Sequence, residues 1–389
     1  MSTAPAKDRA QQTGRQIRFD RHEFAGAVGD LGTDLPLLMG MIVAAGLDPA
    51  STFLVFGAFQ VLTGVVYGLP MPVQPLKAIA AIVIAGGAPK EIVFGAGLVL
   101  GVVMTVLALT NVITPVARLV PHGVVRGIQF GLGMSLMLIA MRYVQRDGGS
   151  GVLVAVIGVM IVLISGARPR VPSALLIVAF GIAVAWISGF RTGPIFGAMA
   201  PALPALRVPA LDDIFAGALR LAVPQIPLSL ANSLMATAVL LRDFFPDRPT
   251  PGIRRITLTY GIMNLVAPFV SGVPVCHGCG GLAGHYRFGA RTGGSVIIYG
   301  AFYLMLGGLF SQVSAEAVKI FPFPLLGVLL LFEGLALVRF IGDVSANRDE
   351  LAVALLVGAI ILGLPYGYAI GALAGAILFR LLRSGRVSL

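Results

Sequence analysis

Lys77 is a single cation inside apolar sequence, and its neighbours suggest what it is for. It stands in Pro70–Ala81, PMPVQPLKAIAA, where three prolines fall within six residues. Each proline removes a backbone donor, and Pro72 and Pro75 disfavour helical geometry at the residue before them. The spacing predicts a short extended segment over Met71–Gln74, then a helix beginning near Pro75 with Lys77 in its first turn. A helix start presents unpaired N–H groups and a positive partial charge, so together with a lysine it suits an anion. A second such place is Cys276–Gly281, CHGCGG, where His277 stands among Gly278, Gly280 and Gly281. Glycines let backbone N–H groups approach an oxyanion closely, although they equally serve close helix packing. The expected substrate-contacting set is Lys77, Gln74, Pro75, His277, Gly278 and Gly280, with Gln225 and Asn232 as neutral hydrogen-bonding amides. Gln60 and Asn264 are further amides near the breaks, and such groups also join membrane helices to one another.

Three acids in apolar sequence, Asp30, Asp34 and Glu333, are the candidates for proton coupling. A carboxyl group taken out of water without a partner favours its neutral form, which suits a proton relay. Asp30 and Asp34 are four apart and share a face on a continuous helix, although Gly29 and Gly32 interrupt that regularity. The bland alternative pairs either aspartate with Lys77 as a structural salt bridge. Asp34 is favoured for coupling, then Asp30, over Glu333, because their segment is expected to pack beside Lys77. Cys276 and Cys279 match the Cys-x-x-Cys spacing, but the chain has no second ligand pair. No metal, cofactor or redox chemistry is expected.

The elements that must position these groups are membrane segments. The chain has 389 residues, 57% hydrophobic and 12% charged, with 50 glycines and a mean hydropathy of +0.93. Soluble domains carry roughly 25% charged residues, so this is an integral membrane protein. Its net charge of +11 lies between apolar runs rather than in one patch, which argues against a nucleic-acid partner. Fourteen apolar segments are expected: 24–46, 51–69, 76–86, 92–112, 123–144, 151–167 and 171–188, then 214–241, 256–273, 279–286, 294–313, 320–341, 351–364 and 366–382. The third and tenth are too short to cross alone, since crossing takes about 20 residues. Residues 1–23 read as a polar, basic cytoplasmic tail without a cleavable signal, and 189–213 as an extracytoplasmic linker. With the N-terminus inside and fourteen crossings, most of the 28 Lys and Arg fall at cytoplasmic ends and the C-terminus is also inside.

The two halves repeat each other. A shift of 204 residues lays Leu54, Gly57, Gly68 and Pro70 on Leu258, Gly261, Gly272 and Pro274, and Gln60 on Asn264. The same shift lays the Pro70–Ala81 stretch on Pro274–His285. Seven segments separate the copies, so the second runs in the opposite direction, and two broken helices are expected to meet near the midplane.

Four stretches carry a resemblance: GDLGTDLP (Gly29–Pro36), PMPVQPLKAIAA (Pro70–Ala81), PQIPLSLANS (Pro224–Ser233) and CHGCGGLAGHYRFGARTGG (Cys276–Gly294). Over nearly its whole length the chain resembles the molybdate-transporter family related to the sulfate permeases. The resemblance implies the seven-plus-seven inverted-repeat fold shared with sulfate and uracil permeases. It implies a core of 24–112 and 214–313 and a gate of 119–188 and 319–384. Larger sulfate permeases usually carry a STAS domain, and its absence fits the molybdate-type branch. Cys279 departs from the family, where a small residue such as alanine is expected, and the register of Glu333 is not fixed by the pattern.

The expected function is import of a tetrahedral oxyanion, molybdate first, with sulfate or tungstate as alternatives, across a bacterial inner membrane. Moving two negative charges inward against an inside-negative potential costs about 4.6 kcal/mol per 100 mV, so cotransported cations, protons first, are needed. No Gly-x-x-x-x-Gly-Lys-Ser/Thr string is present, so the chain is no self-contained ATP-driven pump. A nucleobase or organic-anion permease should carry a carboxylate in segment 8 or 10, and none stands between Asp213 and Asp243 or between Asp247 and Glu316. An enzyme would need a convergent nucleophile and base, and the four histidines, His22, His122, His277 and His285, form no such set. The sequence is compatible with a homodimer.

Overall fold

The computed structural model describes residues 17–86, 88–166, 173–188 and 201–387. Residues 1–16 of the expected tail and 189–200 of the expected linker lie outside the described residues. The first half contains α1 (Arg21–Ala27), α2 (Leu31–Ala45), α3 (Pro49–Tyr67), β1 (Val73–Pro75), α4 (Lys77–Gly86), α5 (Lys90–Leu109), α6 (Ile113–Leu119), α7 (His122–Gln145), α8 (Gly148–Gly166) and α9 (Ser173–Ile187). The second contains α10 (Leu211–Phe244), α11 (Ile253–Val266), β2 (Val275–His277), α12 (Cys279–Arg287), α13 (Gly294–Leu309), α14 (Ser311–Ile320), α15 (Phe323–Val344), α16 (Arg348–Gly363) and α17 (Gly367–Arg383). Fourteen segments result, seven and seven, with segments 3 and 10 each made of a strand and a short helix. Seven helical stretches among the described residues are long and apolar enough to cross a membrane, with Arg21–Ala45, α1 and α2 together, taken as one.

Local chemistry sets the boundaries. Asp48 caps α3 by accepting from the Ser51 N–H at 2.8 Å, and Pro49 opens the helix where its missing donor does no harm. Gly68, at φ 64°, ends the same helix in the left-handed conformation and turns the chain into the proline stretch. Segment 1 is not one helix: residues 28–30 form a turn between α1 and α2, where the glycines were expected to disturb it. Two short helices went unforeseen, α6 and α14. Each follows the fourth segment of its half and leads into the fifth.

The helices pack in pairs that respect the repeat. Helix α3 packs on α13 and α5 on α11, while α7 packs on α15 and α16. Gly57 and Gly300 make the α3–α13 contact possible, since a Cβ on either would come within 2.6 Å of the other's carbonyl oxygen. Two sets of ends mark the two membrane faces. On one, Ala205 N–H donates to Ser51, Arg207 N–H to the Phe269 carbonyl and Ala202 N–H to the Gly308 carbonyl. On the other, the buried Glu23 carboxylate of α1 accepts from the backbone N–H groups of Arg291, Thr292 and Ser295 at 2.9–3.0 Å, capping the start of α13.

Candidate functional site

The two proline–glycine breaks are joined to each other. Strands β1 and β2 pair antiparallel with Val73 opposite His277, Gln74 opposite Cys276 and Pro75 opposite Val275. The Leu76 N–H donates to the Pro274 carbonyl at 3.1 Å. Irregular backbone at this depth needs partners from protein, and two side-chain amides supply them. Gln60 donates to the Val73 carbonyl at 2.7 Å and accepts from the Val73 N–H at 2.9 Å. Asn264 does the same for Val275, at 2.6 and 2.9 Å. The residues that the internal repeat superposes thus do matching work as clamps on the two strands.

Helix α4 begins at Lys77, two residues later than expected. Its start is occupied: the Gln225 side-chain oxygen accepts from the N–H groups of Ala78 at 2.9 Å and Ile79 at 3.3 Å. Gln225 is held in turn by Ser229, and Ser229 by Tyr260. The ammonium of Lys77 donates to Glu333 of α15 at 2.6 Å, and the other Glu333 oxygen accepts from Thr33 of α2 at 3.2 Å. The Lys77 and Glu333 side chains retain 14% and 7% exposure, so water reaches the pair. The sequence suggested Asp30 or Asp34 as the structural partner of Lys77; the carboxylate that touches it is Glu333, three hundred positions away from Thr33 on the same acid.

The second half-helix starts differently. Helix α12 begins at Cys279, whose thiol donates to the Asn232 side-chain oxygen at 3.2 Å. A Cβ at Gly278 would collide with the Gln74 side-chain oxygen, and one at Gly281 with Asp30, so both glycines are demanded by packing. A Cβ at Gly280 would meet nothing within 4 Å. The first N–H groups of a helix have no intrahelical acceptor, and on the Gly280 side this turn is exposed. Lys77 and Cys279 lie within electrostatic reach of each other, so the lysine and the start of α12 are neighbours.

His277 was expected beside the substrate. It is fully buried on β2, with Nε2 2.8 Å from the Thr259 hydroxyl, Nδ1 3.4 Å from the Pro72 carbonyl oxygen, and its ring edge-on to Tyr67. Protein groups therefore sit at both ring nitrogens. Pro75 is buried at the end of β1.

Asp30 accepts from the Gln74 amide at 2.6 Å, and Asp34 from the Tyr299 hydroxyl at 3.3 Å, while Tyr299 lies 3.1 Å from the Tyr303 hydroxyl. Both aspartates are buried, and each keeps one oxygen without a hydrogen-bond partner. His285 is buried next to them, its ring edge against Tyr299 and both nitrogens unpartnered. Thr33, Thr259, Tyr299 and Tyr303 were not singled out from sequence. Hydroxyl residues carry no charge signal in apolar runs, although the four-residue spacing of the two tyrosines places them on one helical face.

A family model described as "Molybdate transporter of MFS superfamily" matches residues 22–136 and 217–337, one block in each half. "Molybdate transporter 1" of Arabidopsis thaliana is 32% identical over 95% of this chain and 89% of its own length. "Molybdate transporter 1" of Chlamydomonas reinhardtii is 28% identical over 92% of this chain and 90% of its own. Among solved structures, the transmembrane domain of the cyanobacterial bicarbonate transporter BicA superposes with a TM-score of 0.67 at 15% identity, covering 94% of this chain and 98% of that one. At that identity the likeness concerns the fold.

Proposed function

The chain belongs to the molybdate-transporter family, and from that premise we propose that it is a secondary active importer of molybdate driven by cotransported protons. One observation carries the assignment of the site. A partly buried lysine at one half-helix start faces the region bordered by a second, glycine-lined start whose Gly280 opens on free space. A tetrahedral dianion placed there meets a point charge on one side and backbone N–H groups on the other, as oxyanion sites require. Gln74, Gly278, Gln225 and Asn232 shape this site by holding the two starts in place, and Pro75 and His277 belong to the paired strands behind it.

The anion competes with Glu333 for Lys77. Protonation of Glu333 frees the lysine and removes a negative charge from beside the incoming dianion, so substrate and proton favour one another, which is what coupling means. Asp34 and Asp30 form a second proton station behind Gln74 and Tyr299. The core, 24–112 with 214–313, then moves against the gate, 119–188 with 319–384, to alternate access. The Lys77–Glu333 contact spans that boundary and must break or travel during the cycle. Both termini are placed in the cytoplasm and the protein in a bacterial inner membrane, in keeping with the distribution of basic residues.

The test is uptake into proteoliposomes of the full chain, with sulfate, tungstate and uracil as competitors and an imposed pH gradient. Accumulation of molybdate that collapses with a protonophore, is inhibited by tungstate and ignores uracil is the expected result. Preferred transport of sulfate would leave the site and change the substrate. Competition by uracil alone would overturn the oxyanion reading.

A further inference from the structure

Beyond the Lys77 site the described residues contain an open cavity, of about 550 Å³, at the far end of α4. Its wall is made by the last turn of α4 from Ile82 onward, by α7, by α10 and by the turn between α16 and α17. Ile82 lies five residues after Lys77, about 7.5 Å along a helix, so this cavity and the lysine share one helix as a common wall. It opens on the face where α5 begins, the face along which residues 201–210 run, as the Glu91–Arg207 ion pair shows. That face is opposite the Glu23 latch of α1.

Among the described residues two arginines line it, Arg142 of α7 and Arg220 of α10, and no aspartate or glutamate does. Both are exposed, and neither has a hydrogen-bond or ion-pair partner among the described residues. In the core-and-gate division proposed above they stand on opposite sides of the boundary, Arg142 of α7 on the gate and Arg220 of α10 on the core. A cleft lined by one sign of charge between low-dielectric walls concentrates counter-ions and raises their rate of capture. Guanidinium groups recognise tetrahedral oxyanions through paired N–H donors.

We propose that this vestibule is an outer capture site, in which Arg142 and Arg220 hold a tetrahedral oxyanion dianion at the mouth before it moves along α4 to Lys77. This rests on the oxyanion-import reading above. Both arginines border one cavity, so a dianion held in it is attracted by both.

The experiment measures initial uptake rate against molybdate concentration for wild type, Arg142→Gln, Arg220→Gln and the double variant. All four are reconstituted in vesicles of neutral phosphatidylcholine and, separately, in vesicles containing phosphatidylglycerol. The double variant is expected to raise KM about tenfold with little change in maximal rate, and to flatten the fall of kcat/KM with ionic strength. Arg142→Lys with Arg220→Lys, which keeps the charge, should restore the salt dependence. Unchanged KM and salt profile in the double variant, with wild type transporting molybdate normally, overturns the capture site and leaves the import reading intact. An effect confined to phosphatidylglycerol vesicles assigns the arginines to lipid phosphates and also overturns it. Absence of oxyanion transport by wild type is instead a failure of the import reading.

Discussion

The two half-helix starts come from matching positions of an internal repeat, yet they are furnished in opposite ways. The start of α4 is filled by its own protein: Gln225 takes two of its N–H groups and Lys77 stands beside them, bound to Glu333. The start of α12 carries no charged side chain and is open on its Gly280 side, where a Cβ would meet nothing within 4 Å. The frame behind them is symmetric, since Gln60 and Asn264 grip their strands with the same two bonds. Duplication thus supplied the scaffold twice, and divergence gave one copy the charge and the other the donors. A site built this way meets a tetrahedral anion with two kinds of contact, each of which can be removed alone.

The largest effect is expected at the charged copy. Lys77→Ala should weaken molybdate binding by about 100-fold or more, the scale for truncating one partner of a buried charged contact. The same change strands Glu333, and breaking a buried pair costs about 3–5 kcal/mol of stability. The double variant Lys77→Ala with Glu333→Gln separates the two consequences: its melting temperature in detergent should return towards wild type while binding stays lost. Wild-type affinity in that double variant would remove Lys77 from the site.

Next comes the acid that shares the lysine. Glu333→Gln should tighten molybdate binding at neutral pH and remove the pH dependence of affinity that the coupling proposal requires of wild type, because the competitor for Lys77 has lost its charge. Asp34→Asn should keep binding and anion-for-anion counterflow but lose accumulation driven by a pH gradient. Binding isotherms across pH for the first, and paired counterflow and gradient assays for the second, distinguish the two stations. If Asp34→Asn concentrates molybdate as well as wild type, the proton is carried elsewhere, with Glu333 the next candidate.

At the bare copy, Gly280→Ala should fold normally, since its methyl group meets open space, and should weaken binding by about tenfold by standing in front of the N–H groups. Gly278→Ala, by contrast, should lower stability, because Gln74 occupies the space its methyl group needs. The comparison fails if the two alanine variants behave alike. The smallest effects are expected in the frame: Gln60→Ala and Asn264→Ala should each lower stability by about 1–3 kcal/mol, similarly in both halves, through unpaired strand N–H and carbonyl groups. A large difference between them in thermal melts would mean that the frame is not symmetric.

Much of this was legible before any coordinates. Proline chemistry located both breaks, and the 204-residue shift paired them. It also aligned Gln60 with Asn264, although the sequence could not say that these amides clamp strands rather than join helices. The pairing of β1 with β2 was invisible, because three-residue strands two hundred positions apart leave no periodic signal. The contact of Lys77 with Glu333 was hidden for a related reason. Proximity along the chain favoured the aspartates of segment 1, whereas Glu333 reaches the lysine only because α2 and α15 pack together. His277 looked like a ligand by its glycine-rich surroundings, and what occupies its ring, Thr259, carries no mark in a run of ITLTY. The short helices α6 and α14 were absorbed into neighbouring segments and loops, since seven and ten residues are too few to show a helical period clearly.

The latch between α1 and α13 also has a consequence in time. Glu23 is made early, but the three N–H groups that hold it belong to residues 291–295, and 268 positions separate it from the first of them. At about 5–20 residues per second, the opening helix waits on the order of tens of seconds for its counterpart to leave the ribosome. Throughout that interval a carboxylate destined for the interior has only water or lipid headgroups to solvate it. The beginning of the chain is therefore held at the membrane surface until the second half arrives, and assembly of the first four segments is completed by the eleventh.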